Sequence, residues 1–291
     1  LKKLEPFRPL LIKETVTSKR NDYKLLVLDI DGTLINKEGT ISTADRSAIA
    51  MAREAGFSIC LCTGRSTGAS LKVLKELGLD GFHIFFDGTL VYDPQKDTEL
   101  YSKPIPLALV KEMTEYALKE GLPIDLFSHS QYFVVEESWR TALRKDFFDI
   151  QAVVTDLHTI WKKEKIIKGG IAVKTSDEIK LAKKFAEKFA DRLNLTWTVT
   201  PAFPDIKFIN IVTCGASKGQ AMEVLCSHLQ IPIELVCAIG DGSNDISLLS
   251  RAGLAIAMQN SPTELKALAD YVTGDVNKSG VAEAIQSFLL N

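Results

Sequence analysis

Histidine is scarce in this chain. Only four occur in 291 residues, at positions 83, 129, 158 and 228, and no two stand at the spacing of a ligand pair. That argues against a zinc site. Cysteine is also sparse and odd in number: Cys60, Cys62, Cys214, Cys226 and Cys237, mostly within apolar runs such as FSICLCTG and LVCAIG. Such cysteines read as small buried hydrophobes in a reducing, cytoplasmic setting rather than as a disulfide framework. No apolar run reaches about 18 residues, so no membrane span is expected. Residues 1–22 hold basic residues and a short apolar patch but no apolar stretch ending in a small-residue cleavage site, so no secretory leader is expected. Charge of one sign is lacking too. Lys+Arg number 35 and Asp+Glu 37, for a net charge of -2. That balance excludes a generally basic nucleic-acid binder and an acidic disordered tail. Internal repeats and low-complexity tracts are missing.

What remains is ordinary globular composition with length for about two domains. Residues 1–22 read as an extension. Lys24–Ile30 is an apolar run ending in Asp29-Ile30-Asp31-Gly32, which suits a strand buried on both faces of a parallel sheet. A capped helical pattern follows at 42–56, an apolar run at 57–62, a helix at 66–77 and a third run at 81–86. The C-terminal part repeats the alternation. Helices are expected at 218–229, 244–250, 261–269 and 280–290, and strands at 235–239, 254–257 and 271–273. The middle differs, with helical patterns at 106–120 and 177–192 among strand-like pieces at 132–135, 170–173 and 196–200. Lys183, Lys184, Glu187 and Lys188 read as a solvated helix face. The fold expected is α/β: a Rossmann-like parallel-sheet core from residues 23–91 and 206–291, with an inserted α/β cap at 92–205.

Polar clusters stand at the C-terminal ends of the expected core strands: Asp29-x-Asp31, Thr63-Gly64-Arg65, Asp87-Gly88 and Gly240-Asp241-x-x-Asn244-Asp245. One Asp-Gly after a strand is usually only a turn. Several at one sheet edge point to a ligand site, since open α/β sheets bind there. Two carboxylates about 4 Å apart repel by roughly 4 kcal/mol at an effective dielectric near 20. A cluster of Asp29, Asp31, Asp241 and Asp245 therefore requires a cation or bound protons. Hard oxygen donors without clustered His or Cys favour Mg2+. Acids on a metal, a threonine hydroxyl, backbone amides and a lysine outline a phosphoryl-transfer site, with one Asp able to act as nucleophile and another as acid and base.

LDIDGTL, LCTGR, the Lys218 of ASKGQ and IGDGSNDISLL resemble, in order and spacing, the four motifs of the haloacid dehalogenase superfamily, most closely its Cof-like phosphatases. DGTLVYD with YSKPIP, GLPIDLFS, IKFINI, AGLAIAMQN and ADYVTGDVNKSGVAEAI extend the likeness over about residues 23–290. The resemblance implies a Mg2+-dependent hydrolase of small phosphomonoesters, such as sugar phosphates, acting through an aspartyl-phosphate. It implies Asp29 as nucleophile and metal ligand, and Asp31 as general acid/base with its backbone carbonyl on the metal. Ile30, Thr63, Gly64, Lys218 and Asn244 would hold phosphate. Asp241 would be a further metal ligand, and Asp245 would orient its loop. The inserted domain would be a mobile cap that reads the leaving group. Alternatives are a phosphotransferase or phosphohexomutase and a non-catalytic phosphosugar-binding module; a dehalogenase suits the acids less well. No nucleic acid or membrane partner is implied, and a monomer or weak dimer is expected.

Two positions depart from that pattern. Asp87 stands where Asn is usual, and Gln259 stands where Gly is usual, before Asn260. Asp87 could perturb a neighbouring acid, bind a second cation, shift substrate preference or simply hold a turn. Arg65 reads equally as helix-start structure or as a substrate-edge contact. Phe127, His129, Tyr132 and Phe203 are candidate specificity residues that the sequence does not separate from cap core.

Overall fold

The computed structural model describes residues 23–200 and 203–290. The extension expected at 1–22 lies outside the described residues. The chain opens with β1 (Leu25–Leu28), α1 (Thr43–Glu54), β2 (Ser58–Leu61), α2 (Thr67–Leu77), β3 (His83–Phe85), β4 (Leu90–Asp93) and β5 (Thr98–Ser102). It continues through α3 (Leu107–Lys119), β6 (Asp125–Phe127), β7 (Tyr132–Val134), α4 (Trp139–Phe148), β8 (Ala152–Val154), β9 (Lys168–Val173), α5 (Ser176–Phe189), β10 (Leu193–Thr200) and β11 (Phe203–Thr213). It ends with α6 (Lys218–Leu229), β12 (Val236–Gly240), α7 (Ile246–Leu249), β13 (Leu254–Ala257), α8 (Thr263–Leu268), β14 (Tyr271–Val272) and α9 (Gly280–Ile285).

The core sheet is parallel, in the order β14-β13-β12-β1-β2. All four residues of β1 are buried. Leu26 and Leu28 join one apolar cluster and Leu25 and Val27 join another, so the strand is covered on both faces. Fully burying one such side chain is worth about 1.5–3 kcal/mol, which fixes β1 in the middle of the sheet. Its parallel neighbours β2 and β12 lie far apart in sequence. Their C-terminal ends therefore gather residues from both ends of the chain at one sheet edge.

Helix caps place the elements. Ser42 and Ser66 accept hydrogen bonds from Asp45 and Ala69 amides, starting α1 and α2, and Ser217 accepts from Gln220 to start α6. Each cap satisfies an amide that the first turn leaves without a helical partner.

The expected third core strand takes another route. β3 meets the β2 edge through the Leu61 amide, which donates to His83 Nδ1, and a parallel bridge between Cys62 and Ile84, and forms its strand ladder with β4 in an antiparallel sheet, β3-β4-β5. The middle of the chain forms a six-stranded sheet, β10-β11-β9-β6-β7-β8. Its strand β11 runs to Thr213 and so continues past the boundary expected at 205. Four cysteines are buried as expected, but Cys214 is exposed, because it lies in the turn after β11 rather than within a strand. Lys183, Lys184, Glu187 and Lys188 all face solvent, while Ala182, Phe185 and Phe189 carry the buried stripe of α5. Among the described residues no helix is long and apolar enough to cross a membrane.

Candidate active site

The chain leaves β1 through Asp29 and turns at once. Leu34 and Ile35 amides both donate to the Ile30 carbonyl, and the Gly32 amide donates to the Ile35 carbonyl. Gly32 has φ +85, and a Cβ there would fall 2.2 Å from Asp241 Oδ2. Only glycine permits both the conformation and the approach of Asp241. A parallel register carries Asp241 and Asp245 to the same edge, since Leu28 of β1 lies opposite Ile239 of β12.

Lys218, at the first turn of α6, enters this edge from below. Its Nζ donates to Asp29 Oδ1 at 2.6 Å and to Asp245 Oδ1 at 2.7 Å. The lysine is 1% exposed and Asp29 5%. Burial opposes the charge on Lys218, but Asp245 and Asp29 outweigh it and raise its pKa well above the ordinary value. Burial pushes Asp29 up, Lys218 pulls it down, and Asp245, Asp241 and Asp31 push it up again. Asp245 Oδ2 accepts from the Asp241 and Gly242 amides, at 3.0 and 2.9 Å. Oδ2 of Asp245 thus ties down the loop, while its Oδ1 holds Lys218.

Asp241 is held by Thr33 Oγ1, 3.2 Å from its Oδ1, and by Asn260 Nδ2, 3.2 Å from its Oδ2. Burial, then Asp245, raises its pKa to about 7. Asp29, Asp241 and Asp245 each bring an oxygen to within 4.8 Å of the others. Three carboxylates against one ammonium leave negative charge uncompensated. Hard oxygen donors with that excess fit a divalent cation. The cluster expected from the sequence included the Asp31 carboxylate, but the Asp31 side chain stands outside this group, because Arg65 draws it away. Its carboxylate binds Arg65, with Nε to Oδ2 at 2.8 Å and Nη2 to Oδ1 at 2.5 Å.

The second edge loop carries Thr63 and Gly64. Thr63 is buried, and its Oγ1 accepts from the Arg65 amide at 3.0 Å. It shapes the turn, while Ser66 caps α2. In the bond with the Arg65 amide the Thr63 hydroxyl acts as acceptor. Gly64 lies against Asp87, whose Oδ1 would stand 2.9 Å from a Cβ at position 64. Asp87 itself has φ 56, and its Oδ1 accepts from Asn244 Nδ2 at 2.9 Å. Asp87 therefore holds a turn and orients Asn244. Gln259 leaves its neighbour's tie intact: Asn260 Nδ2 also donates to the Gly32 carbonyl at 2.8 Å, and its Oδ1 accepts from the Val276 amide.

Sequence reasoning missed Lys168. This lysine at the start of β9 is buried, and its Nζ donates to the Gly64 carbonyl at 3.1 Å. Burial lowers its pKa to about 8; Asp87 opposes that shift and Arg144 adds to it. Arg144 in turn binds Asp125 Oδ2 at 2.7 Å. The signal was a lone cation inside the apolar run IIKGGIAV. Of the specificity candidates, Phe127 and Tyr132 are buried and stacked at 4.8 Å, with Phe127 also meeting core Phe86 at 6.2 Å. His129 lies 5.5 Å from Tyr92, and Phe203 lies 5.4 Å from Phe147.

Comparison with known proteins places this geometry. The family description of haloacid dehalogenase-like hydrolases matches residues 26–285. The chain belongs to that family. Like other haloacid dehalogenase-like hydrolases it pairs a parallel-sheet core with a second α/β layer. It is similar to the chloroplastic endoribonuclease YBEY of Arabidopsis thaliana, 28% identical over 91% of this chain, although the chain spans only 46% of that protein. It is also 28% identical to the pyridoxal phosphate phosphatase YbhA of Escherichia coli, over 92% of this chain and 99% of that one. Among solved structures, a haloacid dehalogenase-like hydrolase from Bacteroides thetaiotaomicron matches with a TM-score of 0.80 and 26% identity, covering 91% of this chain and 99% of the other.

Proposed function

We infer that this hydrolase is a Mg2+-dependent phosphatase of small phosphomonoesters, sugar phosphates or related metabolites, working through an aspartyl-phosphate in a reducing compartment. One observation carries the reading. Lys218 bridges Asp29 and Asp245 in a buried cluster that also contains Asp241. The ammonium aims the Asp29 carboxylate and opposes part of the rise that burial gives its pKa. Asp29 and Asp241, with the Asp31 backbone carbonyl, would hold the cation. When bound, that cation would neutralise phosphate oxygens so that an anionic nucleophile can approach.

The chain's own residues do the rest. An Asp29 oxygen attacks phosphorus as the ester P–O bond breaks, and Asp31 gives its proton to the departing alkoxide. The Asp31 carboxylate then takes a proton from water, whose oxygen attacks phosphorus and releases Asp29 and inorganic phosphate. The Ile30 and Gly64 backbone, Thr63, Lys218 and Asn244 surround the phosphate, a preorganised set of donors of the kind that stabilises developing charge. Residues 92–205 act as a mobile cap over this edge, and Lys168 brings the cap's charge to the Gly64 carbonyl.

The test is phosphate release from p-nitrophenyl phosphate with and without Mg2+, for the wild type and Asp29→Asn. Metal-dependent turnover that Asp29→Asn abolishes is expected. Turnover that survives the substitution would remove Asp29 as nucleophile.

A further inference from the structure

Arg65 is the residue that the mechanism above leaves unused. Its guanidinium makes three contacts with separate parts of the molecule. Nε and Nη2 grip both oxygens of Asp31, Nη1 reaches the Ala69 carbonyl at 3.4 Å, and the Cζ atom lies 5.7 Å from the centre of the Phe148 ring. Asp31 and Ala69 belong to the core. Phe148 is the last residue of α4, within the inserted segment. A neighbouring contact places the same segment there independently: a Cβ at Gly68, in the first turn of α2, would meet Ile150 Cγ2 at 3.3 Å. The end of α4 thus rests on the start of α2, directly over Arg65.

The exposures show which partner is anchored. The Arg65 side chain is 11% exposed, while that of Asp31 is 54% exposed. A half-exposed aspartate on a turn samples several rotamers unless a partner holds it. The arginine supplies the missing constraint, since a bidentate guanidinium–carboxylate pair fixes direction as well as distance. A lysine would bind as a point charge without that directionality.

We propose that Arg65 is the positioning residue of the acid/base Asp31, and that its contact with Phe148 makes this positioning depend on the seating of the cap. This rests on the reading of Asp31 as general acid/base. In the proton step Asp31 carries its proton on one oxygen and stays on Arg65 through the other; the Asp29–phosphorus bond forms, the ester P–O bond breaks, and the Asp31 proton goes to the ester oxygen. Arg65 neither gives nor takes a proton. It holds the Asp31 side chain on the turn beyond β1, and displacement of α4 loosens that hold.

Leaving-group dependence provides the test. p-Nitrophenolate departs readily without a proton, whereas phenolate, with a pKa near ~10, leans on the acid. Wild type, Arg65→Met, Arg65→Lys, Phe148→Ala, Asp31→Asn and the double variant Asp31→Asn/Arg65→Met are assayed on p-nitrophenyl phosphate and phenyl phosphate with Mg2+. Arg65→Met is expected to lower kcat/KM for phenyl phosphate about 10-fold more than for p-nitrophenyl phosphate, a part of the roughly 10²–10⁴-fold that a general acid contributes. Arg65→Lys should recover part of this loss, and Phe148→Ala should show a smaller selectivity change of the same sign. In the Asp31→Asn background, removing Arg65 should add little, as expected for residues acting as a unit. Equal losses on both esters, a faster Arg65→Met enzyme, or additive losses in the double variant would overturn the proposal. Asp29→Asn separates the two readings: if it retains turnover, the mechanism itself fails, whatever Arg65 does.

Discussion

Lys218 Nζ sits between two carboxylates that belong to opposite ends of the chain, 2.6 Å from Asp29 Oδ1 and 2.7 Å from Asp245 Oδ1. Removing the ammonium leaves two buried acids facing each other. Lys218→Met is therefore expected to destabilise the protein by about 3–5 kcal/mol, the usual cost of breaking a buried pair. Asp29→Asn keeps the shape and leaves Asp245 to neutralise the lysine, so it should lose activity by orders of magnitude at much smaller cost in stability. Urea unfolding of the two variants beside their turnover would separate the roles.

Gly32→Ala tests how closely the turn after β1 must approach Asp241. The added methyl would fall 2.2 Å from Asp241 Oδ2 at a backbone φ of +85. Asp241 must move, and its contacts with Thr33 and Asn260 must break. The expected result is loss of the thermal shift induced by Mg2+, with the fold retained by circular dichroism. An unchanged shift would mean that Asp241 is not a ligand.

Metal binding should strengthen with pH across neutrality. Burial and Asp245 raise the Asp241 pKa to about 7, so the metal-free cluster retains a proton below that value. Between the ordinary aspartate value, 3.8, and about 7, the folded chain binds more protons than the unfolded chain at this group. Its contribution to stability is present at low pH and is lost as pH rises through about 7. A cation reverses this loss by replacing the proton, and stabilises through mass action. Mg2+ should raise Tm more at pH 8 than at pH 6, as differential scanning fluorimetry would show.

The buried lysine of the cap gives a second, opposite signature. Burial lowers Lys168 from 10.5 to about 8, with Asp87 opposing the shift and Arg144 assisting it. Between those values the unfolded chain holds a proton that the folded chain has released. Stability contributed by this group therefore rises with pH from about 8 to about 10.5. Lys168→Met should abolish that rise in unfolding free energy measured between pH 7.5 and 9.5.

Much of this was legible from residue order. The apolar runs at 57–62 and 254–257 became β2 and β13, and the serines that start α1, α2 and α6 mark their caps. Asp29, Asp241 and Asp245 also met at one edge, because a parallel register leaves strand ends little freedom, whereas the Asp31 carboxylate turned to Arg65. Other elements left no trace. α4 buries none of its residues, so it has no apolar stripe for periodicity to find. β8 is half-exposed, and β6 is three residues long. The third apolar run was read as a core strand, yet β3 pairs with β4, because local pattern cannot tell which sheet edge a buried strand will join. Lys168 escaped notice for a similar reason: its meaning lies in a contact with Gly64, 104 positions away.

The separation in sequence between Asp29 and Lys218, 189 positions, has a consequence for synthesis. A nascent polypeptide displays Asp29 early but gains the ammonium that pairs with it only after the intervening sheet has emerged. Until α6 and β12 dock, Asp29 is an unguarded acid beside a half-built sheet. Chemical competence thus arrives late and all at once, when the final quarter of the polypeptide closes around β1.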